Sequence, residues 1–84
     1  MNSKQAKTLR AVFSDPVSAK IEWAAIESLM VGVGCRTIEG KGSAVKFVMD
    51  DFVVRFHRPH PGKEAKPYQV KDARLFLRTI GVQP

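Results

Sequence analysis

The chain has 84 residues, of which 14 are Lys or Arg and 8 are Asp or Glu, giving a net charge of +6. This length supports one small domain with a modest core, and the charge favours an anionic partner, most commonly nucleic acid. A solvated basic surface without a ligand is the plain alternative. The single Cys35 excludes an internal disulfide and fits a reducing cytoplasm. No apolar stretch reaches membrane-spanning length and the polar start lacks a signal-peptide core, so we expect no membrane association.

Two helices are predicted before the first strand. One covers about Ser3 to Phe13, with Ser3 as its candidate N-cap. The second runs from Ser18 or Ile21 to Val33, because its apolar residues recur at intervals of three and four. The glycines near its end are placed to stop it. Cys35 to Glu39 then predicts a short first strand.

The run from Gly42 to Arg58 predicts a β-hairpin, since apolar residues alternate on both sides of Asp50-Asp51. Three prolines in residues 59–67 then predict a loop. A last helix is predicted over about Tyr68 to Ile80. The predicted fold class is α+β, with a three-stranded antiparallel sheet, helices on one face and the order α-α-β-β-β-α.

A two-residue loop at Asp50-Asp51 would fix how the hairpin residues pair. The expected pairs are Val48 with Val53, Lys46 with Arg55, and Ala44 with His57. Lys46, Arg55 and His57 then share the face that the helices leave open. Like charges directly opposite each other are unfavourable unless an anion lies over them, so this face is a candidate phosphate-binding surface.

Four motifs follow one another in the second part of the chain. They are Gly34-Cys35-Arg36, the Gly42-Ser43 turn, the His60–Glu64 loop, and the ending Leu77-x-x-x-Gly81-Val82. Over about residues 21–82, the chain resembles the HicA toxins of bacterial HicAB toxin–antitoxin pairs. The resemblance implies a small double-stranded-RNA-binding-like fold, cleavage of messenger RNA and neutralisation by a HicB-like antitoxin. Residues 1–84 would form one HicA-like domain, in which 1–20 are an N-terminal helical extension and 21–82 the core.

The resemblance breaks at one position. The family pattern is Gly-Ser-His, with a catalytic histidine, but Ala44 occupies the histidine position here and has no proton to transfer. Three hypotheses stay open. His57, across the ladder from Ala44, has taken the catalytic role; the chain is an inactive toxin, natural or engineered, that still binds RNA and antitoxin; or His60 reaches the site from its loop.

Histidine suits acid–base work in a metal-independent ribonuclease because its unperturbed pKa lies near ~6.5. An ordinary half-exposed strand histidine is the alternative interpretation of His57. The candidate RNA-binding residues are Lys41, Ser43, Lys46, Arg55 and Lys63. No metal site is expected, because Pro59 separates His57 from His60 and no Cys or carboxylate completes a set. The expected partners are messenger RNA and an acidic HicB-like antitoxin on the open face, with no small-molecule cofactor.

Overall fold

A computed structural model describes residues 1–84 as three helices and one three-stranded sheet. The elements are α1 (Ser3–Val12), α2 (Trp23–Gly32), β1 (Arg36–Glu39), β2 (Ala44–Met49), β3 (Phe52–His57) and α3 (Pro67–Thr79). The sheet is antiparallel with the order β1-β2-β3. The α+β class and the order α-α-β-β-β-α are therefore confirmed, and the part from α2 to α3 fits the double-stranded-RNA-binding-like arrangement.

The helix boundaries differ slightly from the sequence prediction: each helix ends one residue earlier than expected, and α3 begins at Pro67, which had been assigned to the loop. Asn2, not Ser3, caps α1: its Oδ1 accepts the Gln5 N–H at 2.8 Å, and Gln5 Oε1 accepts the Asn2 N–H at 2.9 Å. Such a capping box satisfies two amides that the first helical turn leaves unpaired. α2 begins only at Trp23, because the backbone before it pairs with the loop after β3; the Ala65 N–H donates to the Ile21 carbonyl at 2.7 Å.

The hairpin register is as predicted. Lys46 pairs with Arg55, Ala44 with His57 and Val48 with Val53. Asp50 adopts a φ of +52°, a left-handed conformation that aspartate tolerates better than most residues. Both the alternation of apolar residues and the loop chemistry therefore point to one register.

The core lies between the sheet and the helices. Phe47 is fully buried, and its ring centroid lies 6.4 Å from that of Trp23 and 6.0 Å from that of Phe56. Trp23 also meets Phe56 edge-on at 5.0 Å. Leu9 and Val12 of α1 belong to this same apolar cluster. Helix α1 is thus packed into the domain core.

Two residues depart from a simple division into a covered and an open face. Phe52 faces the helix side by parity, yet it is 45% exposed at the start of β3. Val48 faces the open side, yet it is only 9% exposed, because it lies in the central strand between Arg36 of β1 and Val53 of β3. No helix of this fold has both the length and the apolar character needed to cross a bilayer.

Candidate nucleic-acid interface

The face of the sheet that the helices leave uncovered carries its basic residues in the middle. Lys46 of β2 is half-buried and directly opposite the exposed Arg55 of β3. Both line a groove of about 280 Å³, here called the sheet groove, whose floor and ends also include Ile38, Gly40, Ala44 and His57. Two adjacent cations in a concave surface attract an anion more strongly than scattered surface lysines do.

His57 and Ala44 lie at one end of the sheet groove as cross-strand partners. His57 is exposed, and its Nδ1 lies 3.4 Å from Ser43 Oγ, at the long end of hydrogen-bond distance. A Cβ placed on Gly40 would lie only 2.9 Å from the Ala44 Cβ. The Gly40 backbone therefore passes close to Ala44, and a side chain at position 40 would collide with it.

The backbone of His57 is held from the helix layer by Gln69. This α3 residue is 2% exposed, and its Nε2 donates to the His57 carbonyl at 2.8 Å. Its Oε1 accepts the Lys66 N–H at 3.0 Å. One buried amide thus fixes both the end of β3 and the start of α3, which orders the backbone that carries the histidine.

Arg58 follows His57 and joins three elements through charged hydrogen bonds. Its guanidinium donates to Glu39 of β1 at 2.7 and 2.9 Å and to Glu27 of α2 at 3.0 Å twice. Hydrogen bonds to Glu39 and then to Glu27 raise the pKa of Arg58, and the bond from Arg58 lowers the pKa of Glu39. Glu39 also lines the sheet groove, so this pairing offsets a negative charge that would repel phosphate. The periodicity of the apolar residues does not indicate this cluster.

The other predicted site residues are spread more widely. Lys41 lies in the turn between β1 and β2, where its carbonyl accepts the Ala44 N–H at 3.0 Å. The Lys63 carbonyl accepts the Trp23 N–H at 2.8 Å, which ties this loop to the start of α2. The structure therefore brings Lys46, Arg55 and His57 together in the sheet groove. The other predicted site residues are not among those that line it: Lys41, Ser43, His60 and Lys63.

Arg36 is a basic residue of the open face that the sequence reasoning missed. It pairs with Val48 across β1 and β2, and paired residues share a face, so it lies on the same side as Lys46. It is exposed. The Gly40 N–H donates to the Ala44 carbonyl, and this bond sets the register of β1 against β2. The pattern of residues does not reveal the length of the turn between these strands, so it could not predict the face on which Arg36 lies.

Metal binding and cysteine chemistry are the two other kinds of reactivity to consider at this interface. No three residues among the His, Cys, Asp and Glu side chains are grouped so that they could hold a metal ion. Cys35 is 7% exposed, and burial raises the pKa of its thiol. Because the thiolate is the nucleophile, this cysteine is suited to packing and not to catalysis.

Comparison with known proteins assigns the family. The model of the HicA toxin of bacterial toxin–antitoxin systems matches residues 23–82, from the first residue of α2 to just beyond α3. No significant match is found among curated proteins or among solved structures. The family match covers most of the 84 residues and leaves out the segment that contains α1. The chain therefore belongs to the HicA toxin family of bacterial toxin–antitoxin systems.

Proposed function

We propose that this protein is the toxin of a toxin–antitoxin pair and an endoribonuclease that cleaves messenger RNA until a HicB-like antitoxin neutralises it. The observation that carries this proposal is the position of His57. It is exposed on the basic open face, directly opposite Ala44, which occupies the position of the family's catalytic histidine. His57 on β3 can thus reach, from the neighbouring strand, the space that a histidine at position 44 of β2 would occupy.

The proposed chemistry needs no metal. His57 takes the proton of the RNA 2′-hydroxyl, or protonates the leaving oxygen, since imidazole is the side chain most often used for general acid–base catalysis. Lys46 and Arg55 stabilise the negative charge that develops on the phosphate, since positioned cations act most strongly where charge appears in the transition state. Ser43 Oγ, 3.4 Å from Nδ1, orients the imidazole ring.

RNA would cross the sheet along its basic residues. Arg36 extends the binding surface beyond Lys46 on one side, and Lys41 extends it at the turn near Ala44. Lys63 would contact only RNA that continues around the edge of the domain toward α2. Because the substrate is messenger RNA, the proposed site of action is the cytoplasm. The antitoxin would cover the open face with acidic residues, which is a direct way to block a basic site.

A second candidate function rests on Ala44 itself. If no residue has replaced the missing family histidine, the protein is a catalytically inactive module that binds RNA or antitoxin through the same face. This alternative predicts RNA binding that weakens with salt and produces no cleavage. Restoring the histidine distinguishes the two functions, because an inactive module should gain cleavage from Ala44→His, whereas an enzyme that uses His57 should change little.

The test incubates a long messenger RNA at low salt with the parent protein and with three variants, His57→Ala, His60→Ala and Ala44→His. We expect His57→Ala to lose cleavage by about 10²–10⁴-fold while it still binds RNA, because acid–base catalysis typically contributes that much. His60→Ala is the matched control and should cleave normally. If only His60→Ala loses cleavage, the catalytic acid–base residue is His60 and not His57. If the parent binds RNA without cutting it and only Ala44→His cleaves, the inactive-module alternative is correct.

A further inference from the structure

The outer edge of β3 carries backbone groups that no other strand satisfies. The Arg58 N–H bonds the Ser43 carbonyl at 2.9 Å, and hydrogen-bonded pairs alternate along an antiparallel ladder. Phe56 and Val54 therefore direct their backbone groups to β2, while Val53 and Arg55 direct theirs away from it. β3 is at the end of the strand order, and Gln69 already binds the His57 carbonyl. The free part of the edge is thus the stretch around Val53 and Arg55.

An apolar groove runs along this free edge. It has a volume of about 250 Å³, lies between β3 and α3, and is here called the edge groove; its lining includes Phe52, Val53, Leu75 and Phe76. Leu75 is 62% exposed, Phe52 45% and Val53 41%. Phe52 and Leu75 are large apolar side chains exposed in this groove, and such a patch marks an interaction surface, while the Val53 side chain faces the open side together with Arg55.

Charge and strand geometry specify the occupant. A strand that pairs with Val53 and Arg55 would alternate its side chains between the two faces of the extended sheet. On one face they would lie in the edge groove and should be apolar. On the other face they would lie beside Arg55 and close to the basic open face, and should be acidic. A second copy of this chain fits poorly, because each copy carries a net charge of +6 and would bring its own Arg55 to the edge.

We propose that the free edge of β3 receives an extended strand of an acidic protein partner, whose residues alternate between apolar and acidic. The partner strand extends the sheet by β-augmentation, with apolar side chains in the edge groove and acidic ones facing Arg55. This inference rests on the proposed function only for the identity of the partner, which would be the antitoxin. Bound there, the partner places its acidic side chains beside Arg55, which also lines the sheet groove.

The test uses the full-length protein and a synthetic peptide of about seven residues in which valine and glutamate alternate, a typical strand length. We expect saturable binding, with the largest NMR shifts at the amides of Val53 and Arg55. Two further peptides carry N-methyl groups on the valine amides or on the glutamate amides. Since only alternate residues donate to the neighbouring strand, one methylated peptide should lose at least about tenfold in affinity and the other should bind normally. Equal binding of both methylated peptides, or no binding of the parent peptide, would overturn the proposal.

Two variants separate this edge from the RNA-binding face. Leu75→Glu should weaken peptide binding by at least about tenfold, and Val31→Glu, at a residue 57% exposed on α2, is the matched control that should not. Messenger RNA binding by Leu75→Glu should equal that of the parent, so a failure of the RNA-cleavage proposal leaves this test intact. If the protein alone dimerises in sedimentation experiments and Leu75→Glu abolishes the dimer, the occupant is a second copy and the acidic-strand proposal is wrong.

Discussion

Replacing Gln69 with methionine should destabilise the domain while preserving the volume of the side chain. Gln69 is 2% exposed and makes two hydrogen bonds, to the His57 carbonyl at 2.8 Å and from the Lys66 N–H at 3.0 Å. Methionine can replace neither bond, so both backbone groups lose their partner. A buried polar group left unpaired costs about 1–3 kcal/mol.

The magnitude follows from where those two groups lie. His57 and Lys66 are both exposed residues, so water can partly replace the lost partner and the lower end of the range applies. We therefore expect a loss of about 2 kcal/mol in the free energy of unfolding, or about 1 kcal/mol for each group. In a domain of this size, that loss lowers the melting temperature by roughly 8–16 °C.

Urea denaturation followed by circular dichroism measures the free energy, and calorimetry measures the melting temperature. Gln83→Met is the matched control, because Gln83 is exposed near the C-terminus and makes no side-chain hydrogen bond in the structure. A loss below about 0.5 kcal/mol for Gln69→Met would refute the reasoning, since it would mean that the two bonds contribute almost nothing beyond packing.

Three further predictions concern stability. The bond from Arg58 lowers the pKa of Glu39 below its usual value of 4.5, so the stability this pair contributes is present above that pH and is lost as pH falls through the lowered pKa. Urea titrations should thus show a difference in the free energy of unfolding between the parent and Glu39→Gln that is constant near neutral pH and disappears in acid. A difference that persists to pH about 2 would contradict the assignment. Gly34→Ala, at a φ of +105°, should cost about 1–2 kcal/mol, whereas Gly62→Ala, with ordinary space around its Cβ, should be nearly neutral in the same assay. Leu9→Ala should cost about 2–5 kcal/mol, because Leu9 is 3% exposed in the common core; a loss near zero in thermal unfolding would show that α1 is a dispensable extension.

The hairpin shows how far local sequence rules extend. Alternating apolar residues and a two-residue Asp50-Asp51 loop were enough to predict the pairing of Lys46 with Arg55 and of Ala44 with His57, and both pairs are confirmed. A change of register by one residue would have moved every core side chain to the open face, which is why the pattern determines it so strongly. Helix positions were predicted nearly as well, with the ends displaced by one residue and the start of α2 by two or more.

The predictions failed where the answer depends on residues far apart in the chain. Arg58 binds Glu27 and Glu39, which lie 31 and 19 positions away, and no periodic pattern indicates such a contact. The role of Gln69 was missed for the same reason, because a glutamine in a helix is read as polar surface unless its partners are known. Arg36 was missed because its face depends on the length of a turn.

The sequence by itself determined the order of the elements, the register of the hairpin and the face on which Lys46, Arg55 and His57 meet, because these follow from side-chain alternation and turn chemistry within a short stretch of chain. Only the tertiary structure decided that the N-terminal helix belongs to the core and that Arg58 is occupied by two carboxylates. It also showed that β3 leaves an apolar groove beside its free edge. These features arise when α1, α2 and α3 pack on the sheet, and that packing depends on contacts between distant residues that no local pattern encodes.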